Sequence, residues 1–286
     1  MTDHATAVVD DAPAVDLGGV MLWPLTDAHG SFTTFREAFP STAPEQEAFA
    51  RRRYDGLFRG PKWILPFRAF LIRTRRETVL VDAVLGPPPG DFLPERQGWL
   101  LEQLHGVNVE PGEIDLVVLT HLHVDHVGWA AVGGKPMFPR ARYLISSPDW
   151  HFFGNRPESR RTFAAKLAPL QDAGVLELVE PEVTEIAARI SLRPAPGHTP
   201  GHLAVEIGGD AKRAIVIADA AVHPLQLHDP SLLYVHDEDP SATAATREAL
   251  LAELADADVI VAAGHFPGGL GQIATETGGL VWRPVV

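Results

Sequence analysis

An α/β sandwich is the fold this sequence predicts, on three observations. Short β-rich runs bunch in both halves of the chain, and helical stretches lie between the bunches instead of alternating strictly with single strands. Pro and Gly, 25 of each, fall mostly in connections, so no linker divides the chain cleanly. With 286 residues, 45% of them hydrophobic, the chain can bury a large core.

Each element follows from local pattern. Residues 1–15 are acidic and Ala-rich and are expected to form a mobile terminus, leaving 16–286 as a single domain. GGVMLWPL reads as the first strand. PEQEAFARRRYDGLF (44–58) carries Phe49, Leu57 and Phe58 at loosely helical spacing, with Ser41 or Thr42 as candidate caps, and is expected to form a helical arm. FRAFLIRT (67–74) and ETVLVDA (77–83) are paired β-rich runs. PERQGWLLEQLHG (94–106) opens on Pro and ends on Gly, as a helix does. IDLVVLT (114–120) is the continuous apolar run of a buried strand. Strands follow at 142–146, 175–179, 187–192, 203–207 and 213–218, with a helical stretch near 160–170. Residues 241–256 read as a helix, DVIVAAG (258–264) as a strand, and LVWRPV as a closing strand.

Composition removes several classes of function. A net charge of −13 leaves no basic face for a phosphate backbone, so no nucleic-acid partner is expected. The chain has no cysteine, which excludes disulfides, iron–sulfur clusters and thiol nucleophiles; any metal must be held by His, Asp or Glu. No apolar run has signal or membrane-spanning length, and the chain is read as soluble and cytoplasmic.

One stretch concentrates donors. THLHVDHVGW (120–129) places three of the chain's 13 histidines and an aspartate in six positions at the end of a buried strand. His121 and His123, two apart, can share one side and converge on one ion, while Asp125 and His126 face a second position in the turn. Two neighbouring ions use this density better than one. Further donors each sit just past an apolar strand, where open α/β sheets place their sites. His198 lies in PAPGHTPGH, Asp219 ends AIVIAD where a carboxylate could bridge two ions, and His265 ends VIVAAGH. Taken singly, a histidine after a strand is more often a hydrogen-bonded or solvent-facing residue, and an aspartate there more often a helix cap. The six-residue cluster is what favours a metal.

The four motifs THLHVDHVGW, GHTPGH, IAD and AAGHF, in this order, resemble the metallo-β-lactamase superfamily of metal-dependent hydrolases. That resemblance implies a four-layer αββα sandwich over about 18–286. It implies two divalent ions, most commonly zinc, with manganese, cobalt and iron as other occupants. The first would be held by His121, His123 and His198, the second by Asp125, His126 and His265, with Asp219 bridging them. Asp82, in LVDAVLG, matches the family's early aspartate, which supports the site from outside the ligands; Ala83 departs mildly from the commoner LVDTG. His202 is read as a supporting residue and not a ligand.

Within the superfamily the chain is similar to the N-acyl-homoserine lactonase and methyl parathion hydrolase group. The implied activity is hydrolysis of a lactone or ester, a small-molecule substrate, by a metal-bridging hydroxide, with Asp125 and Asp219 as its carboxylates. A phosphotriester hydrolase is the near alternative, and an iron-dependent oxidoreductase of the same fold is the alternative from another class. Val222 stands where certain lactonases carry Tyr. Phe32, Phe35, Phe39, Trp63, Phe67 and His223 are candidate substrate contacts, against the plainer reading of core or surface residues. The 44–58 arm could serve a homodimer.

Overall fold

The computed structural model describes residues 11–31, 33–87 and 98–286, and in it each half of the chain builds one seven-stranded sheet, with two small two-stranded sheets at Phe58–Arg59/Lys62–Trp63 and Ala131–Val132/Lys135–Pro136. The first sheet holds β1 (Val15–Asp16), β2 (Met21–Gly30), β3 (Leu65–Arg73), β4 (Thr78–Val81), β5 (Leu116–Leu119), β6 (Arg142–Ser146) and β7 (Leu176–Val179). The second holds β8 (Thr184–Ala187), β9 (Ile190–Pro194), β10 (Leu203–Gly208), β11 (Arg213–Val216), β12 (Val259–Ala262), β13 (Leu270–Glu276) and β14 (Gly279–Pro284). In both sheets the spatial order is the chain order. Hairpin-linked strands pair antiparallel, and β4–β5, β5–β6, β6–β7 and β11–β12 pair parallel.

Period-two alternation sorts the strands' side chains into layers. Val79, Val81, Leu116, Val118 and Leu144 of the first sheet share one cluster with Leu203, Val205, Val216, Ile260 and Ala262 of the second, which is the layer between the sheets. Leu80, Val117, Leu119, Tyr143, Ile145, Ile215 and Val261 point the other way into a second cluster with the helices. Leu100–Gly106 and Ser147–Gly154 cover the first sheet, and Leu225–His228 and Pro240–Leu254 the second. This is the αββα order.

Three expectations are corrected. Residues 11–15, assigned to a mobile terminus, are docked: Asp11 accepts hydrogen bonds from Thr26, and Ala12 N–H donates to Gly268 O at 2.8 Å. The helix in 44–58 runs Pro44–Arg53 and its cap is neither Ser41 nor Thr42; Gln46 Oε1 reaches back to Ala43 N–H at 2.9 Å. The segment is docked on its own chain, with Ala50, Tyr54, Leu57 and Phe58 buried in the core. The strand β13, not anticipated, pairs with the expected closing strand at Ile273↔Trp282. Its signal is diluted by Gly271, where a Cβ would lie 2.6 Å from the Trp282 ring. Of the 94–106 helix, residues 94–97 lie outside the described residues, and the helix is seen over Leu100–Gly106.

Candidate metal centre

Strand β5 ends at Leu119 and delivers the histidine cluster to the rim of the first sheet. His123, extended at φ −66° and ψ 153°, stands at the N-cap of the one-turn helix Val124–Val127, which carries Asp125 and His126. The loop after β4 clamps this turn. Ala83 N–H donates to His126 O at 2.8 Å, and Gly128 and Trp129 N–H donate to Val84 and Ala83 O, both at 2.6 Å. So close is the approach that a Cβ on Gly128 would lie 2.0 Å from the Leu85 carbonyl. Asp82 and Val84 in this loop, and Ala218 beside Asp219, hold positive φ, a costly conformation that dense surrounding contacts must maintain.

All seven sequence-predicted ligands come together. Nitrogens of His121, His123 and His198 lie within 4.8 Å of one another, and so do the donor atoms of Asp125, His126 and His265. Asp219 stands between the trios. Its Oδ2 faces His198 Nε2 at 3.3 Å and His121 Nε2 at 3.9 Å, while its Oδ1 faces His265 Nε2 at 3.4 Å and His126 Nε2 at 3.5 Å. Asp125 Oδ2 is 3.8 Å from both His126 Nε2 and His265 Nε2. The first four donors after β5 belong to the first sheet; His198, Asp219 and His265 follow strands of the second.

A second ring of groups orients the imidazoles. Asp82 binds His126 Nδ1 at 2.8 Å and accepts from Thr120 N–H and Oγ1, and Pro66 O accepts from His265 Nδ1 at 2.8 Å. Each of these bonds sets the tautomer that turns Nε2 inward. His202 acts on the bridge: its Nδ1 bonds Ala195 O and its Nε2 accepts from Asp219 N–H at 3.1 Å. Two supporting carboxylates escape sequence reasoning. Asp237 Oδ1 accepts from His198 Nδ1 at 2.9 Å. Asp149, fully buried, holds the GHTPGH turn through Thr199 Oγ1 at 2.8 Å and Gly201 N–H at 2.6 Å. Asp237 lies in the acidic run HDED and Asp149 in SSPDW, neither with a spacing that marks a site.

The electrostatics ask for positive charge. Burial pulls His121 and His123 well below 6.5 and His198 and His202 down to about 4, so these rings are neutral lone-pair donors. Against burial, Asp219 lifts His126 well above 6.5 and raises His265. Burial opposes ionisation of Asp219 as well, but His265 and His126 hold it well below the usual carboxylate range. Among the described residues, buried His121 Nε2, His126 Nε2 and Asp219 Oδ1 have no hydrogen-bond partner, a state costing about 1–3 kcal/mol per group unless something binds there. Imidazole and carboxylate lone pairs aimed at common points fit divalent cations.

The candidate substrate contacts fare differently. Phe35, Trp63, Phe39 and His223 are each fully buried, so they line no open mouth. They form a closed aromatic cluster in which Phe35, Phe39 and Trp63 pack on the His223 ring at 5.0–5.9 Å between centroids. The apolar faces of all four exclude water, which accounts for their burial. Phe67 is also buried, its ring 5.5 Å from that of His265. Phe32 lies outside the described residues. Two aromatics outside the expected set also lie beside donors: Phe153, edge-on to His123 at 5.5 Å, and Tyr234, stacked on His198 at 6.0 Å and 17°.

The Metallo-beta-lactamase superfamily profile matches residues 68–265. The chain is 25% identical over 192 residues to the probable metallo-hydrolase YflN of Bacillus subtilis (strain 168), an overlap of 57% of this chain and 67% of that protein. Its fold is similar to that of the hydrolase AbOPH of the beta lactamase superfamily, with TM-score 0.84 and 22% identity over 97% of this chain and 98% of that one. It is similar also to AidC, a dizinc quorum-quenching lactonase solved with a homoserine product, with TM-score 0.82 and 22% identity over the same shares. AiiA of B. thuringiensis, solved with N-decanoyl-L-homoserine, aligns at TM-score 0.63 and 16% identity over 90% of this chain and 94% of that one. Profile match, sheet order and donor geometry agree, and the chain belongs to the metallo-β-lactamase superfamily of divalent-metal proteins.

Proposed function

We propose that this protein is a di-metal hydrolase of lactones or related esters. The observation that carries the reading is Asp219, whose two oxygens face different donor trios. His121, His123 and His198 would hold one ion, and Asp125, His126 and His265 the other, with zinc as the proposed metal. Ions held there would supply Lewis-acid polarisation of a carbonyl and would lower a bound water's pKa toward about 7.

The chain's own residues do the remaining work. Asp82, Asp237 and Pro66 O hold the imidazoles in their metal-facing tautomers. Burial, with Asp125 and Asp219 nearby, pushes the Tyr234 phenol well above 10, so it keeps its proton and can donate a hydrogen bond to a substrate oxygen. Asp125, whose side chain retains 16% exposure, would carry a proton to the departing alkoxide. No serine or cysteine nucleophile is required.

The lactonases among the structural relatives favour a lactone over a phosphotriester as substrate. A paired assay of N-hexanoyl-homoserine lactone and an aryl phosphotriester, with metal content measured on the same sample, tests this. Turnover of the lactone by zinc-loaded protein is expected; turnover of the phosphotriester alone would transfer the assignment. Stoichiometric iron without hydrolysis of either would favour the oxidoreductase reading.

A further inference from the structure

The turn that carries His265 is gripped by a charged side chain distant from it in sequence. Arg68, in the middle of β3, has a side chain with no solvent exposure. Its guanidinium donates to Phe266 O at 2.7 Å and to Gly264 O at 3.3 Å, the carbonyls on either side of His265. Its Nε donates to Asp11 Oδ1 at 2.5 Å. Asp11 is itself fixed to β2, accepting from Thr26 N–H at 3.0 Å and from Thr26 Oγ1. The next residue, Ala12, donates to Gly268 O in the same turn. Gly269 leaves the room that the arginine needs, since a Cβ there would lie 2.8 Å from Arg68 Cδ.

We infer that Asp11 and Arg68 are positioning residues for the second metal site, and that the N-terminal segment acts as a strap on the His265 turn. The inference rests on the di-metal reading above. A buried guanidinium needs a carboxylate to offset its desolvation, and only its planar fork can reach two carbonyls and Asp11 together. With the fork held, Gly264 and Phe266 cannot rotate, and His265 keeps the orientation in which Nδ1 meets Pro66 O and Nε2 meets Asp219. Losing the carboxylate leaves the buried guanidinium's charge less compensated, loosens its hold on the two carbonyls and lets the ring swing. Neither of the two carbonyls that Arg68 holds among the described residues borders His121, His123 or His198 of the first site.

The test is a two-step zinc titration of metal-free protein against a chromophoric chelator, with His265→Ala marking which step belongs to the second site. Asp11→Asn and Arg68→Lys are expected to weaken the second ion about tenfold or more, the range seen for groups that orient metal ligands. The first ion should keep its wild-type affinity, Asp11→Glu should restore much of the loss, and the double variant should lose little beyond either single one. Should Asp11→Asn fail to fold, the pair Asp11→Asn with Arg68→Met removes both charges and should still weaken the second ion alone. Folded variants that hold both ions as tightly as wild type, or that lose both equally, would overturn the strap. Wild-type protein that binds fewer than two ions would instead overturn the di-metal reading, and the strap with it.

Discussion

Behind two of the four imidazoles that face Asp219 stand buried carboxylates, and they decide how firmly those donors are presented. Asp237 fixes His198 through Nδ1, as Asp82 fixes His126. Asp237→Asn keeps the shape but replaces an anion by a neutral amide, so the first ion should bind about 10–100-fold more weakly while the protein stays folded; chelator competition reads this, and unchanged affinity would contradict it. Asp149 makes a prediction about pH. Burial pushes its carboxyl from about 3.8 up to about 6, against hydrogen bonds from Thr199 and Gly201. A carboxyl whose pKa rises on folding binds its proton more tightly in the folded chain, so its contribution is complete below about pH 3.8 and is lost as pH rises through about 6. Wild type should therefore lose up to about 3 kcal/mol relative to Asp149→Asn between these limits. Thermal unfolding of both proteins from pH 4 to 7 checks it, and parallel curves would contradict it. At this scale the candidate donors were legible because six positions concentrate four of the seven. Asp237, Asp149 and Tyr234 were not, because only the folded chain brings them to His198 and its turn.

Elements position the site through their ends. Strands β5, β9, β11 and β12 each stop just before a donor-bearing loop, and apolar runs announced β5, β11 and β12, whereas the strand expected at 187–192 is split by a turn into β8 and β9. What the runs could not announce is the contact between the 82–86 loop and the 120–129 turn. The departure noted at Ala83 is harmless there, because that residue contributes its backbone N–H and C=O. Gly128 is the sensitive position. Gly128→Ala would drive a Cβ into the Leu85 carbonyl, a backbone group that cannot step aside cheaply. A loss of about 1–3 kcal/mol or more in thermal stability is expected, with weakened metal binding; a variant as stable as wild type would show the loop to be pliant. The terminus and β13 were misjudged for a related reason. Acidic and glycine-rich stretches carry little apolar signal, yet Asp11 finds Arg68 and Gly271 finds the Trp282 ring.

In the whole molecule, the contacts between the two halves of the chain include the apolar layer between the sheets, the donor cluster on their rim and the Arg68 grip on the His265 turn. Sheet class was readable from strands bunched in each half, and the order of strands within each sheet simply follows the chain. Among the described residues no helix is long and apolar enough to cross a membrane. Because ligands come from both sheets, bound ions would tie the halves together, and saturating metal at 100 times Kd would add about 2.7 kcal/mol of stability per ion. The pairing of cations across Asp219 is the centre of the account. Its most direct test is the number of zinc ions bound per chain by metal-free protein, titrated alongside Asp219→Ala. Two ions for wild type are predicted, with both sites impaired in the variant; a single ion, or two ions undisturbed by loss of Asp219, would contradict the account.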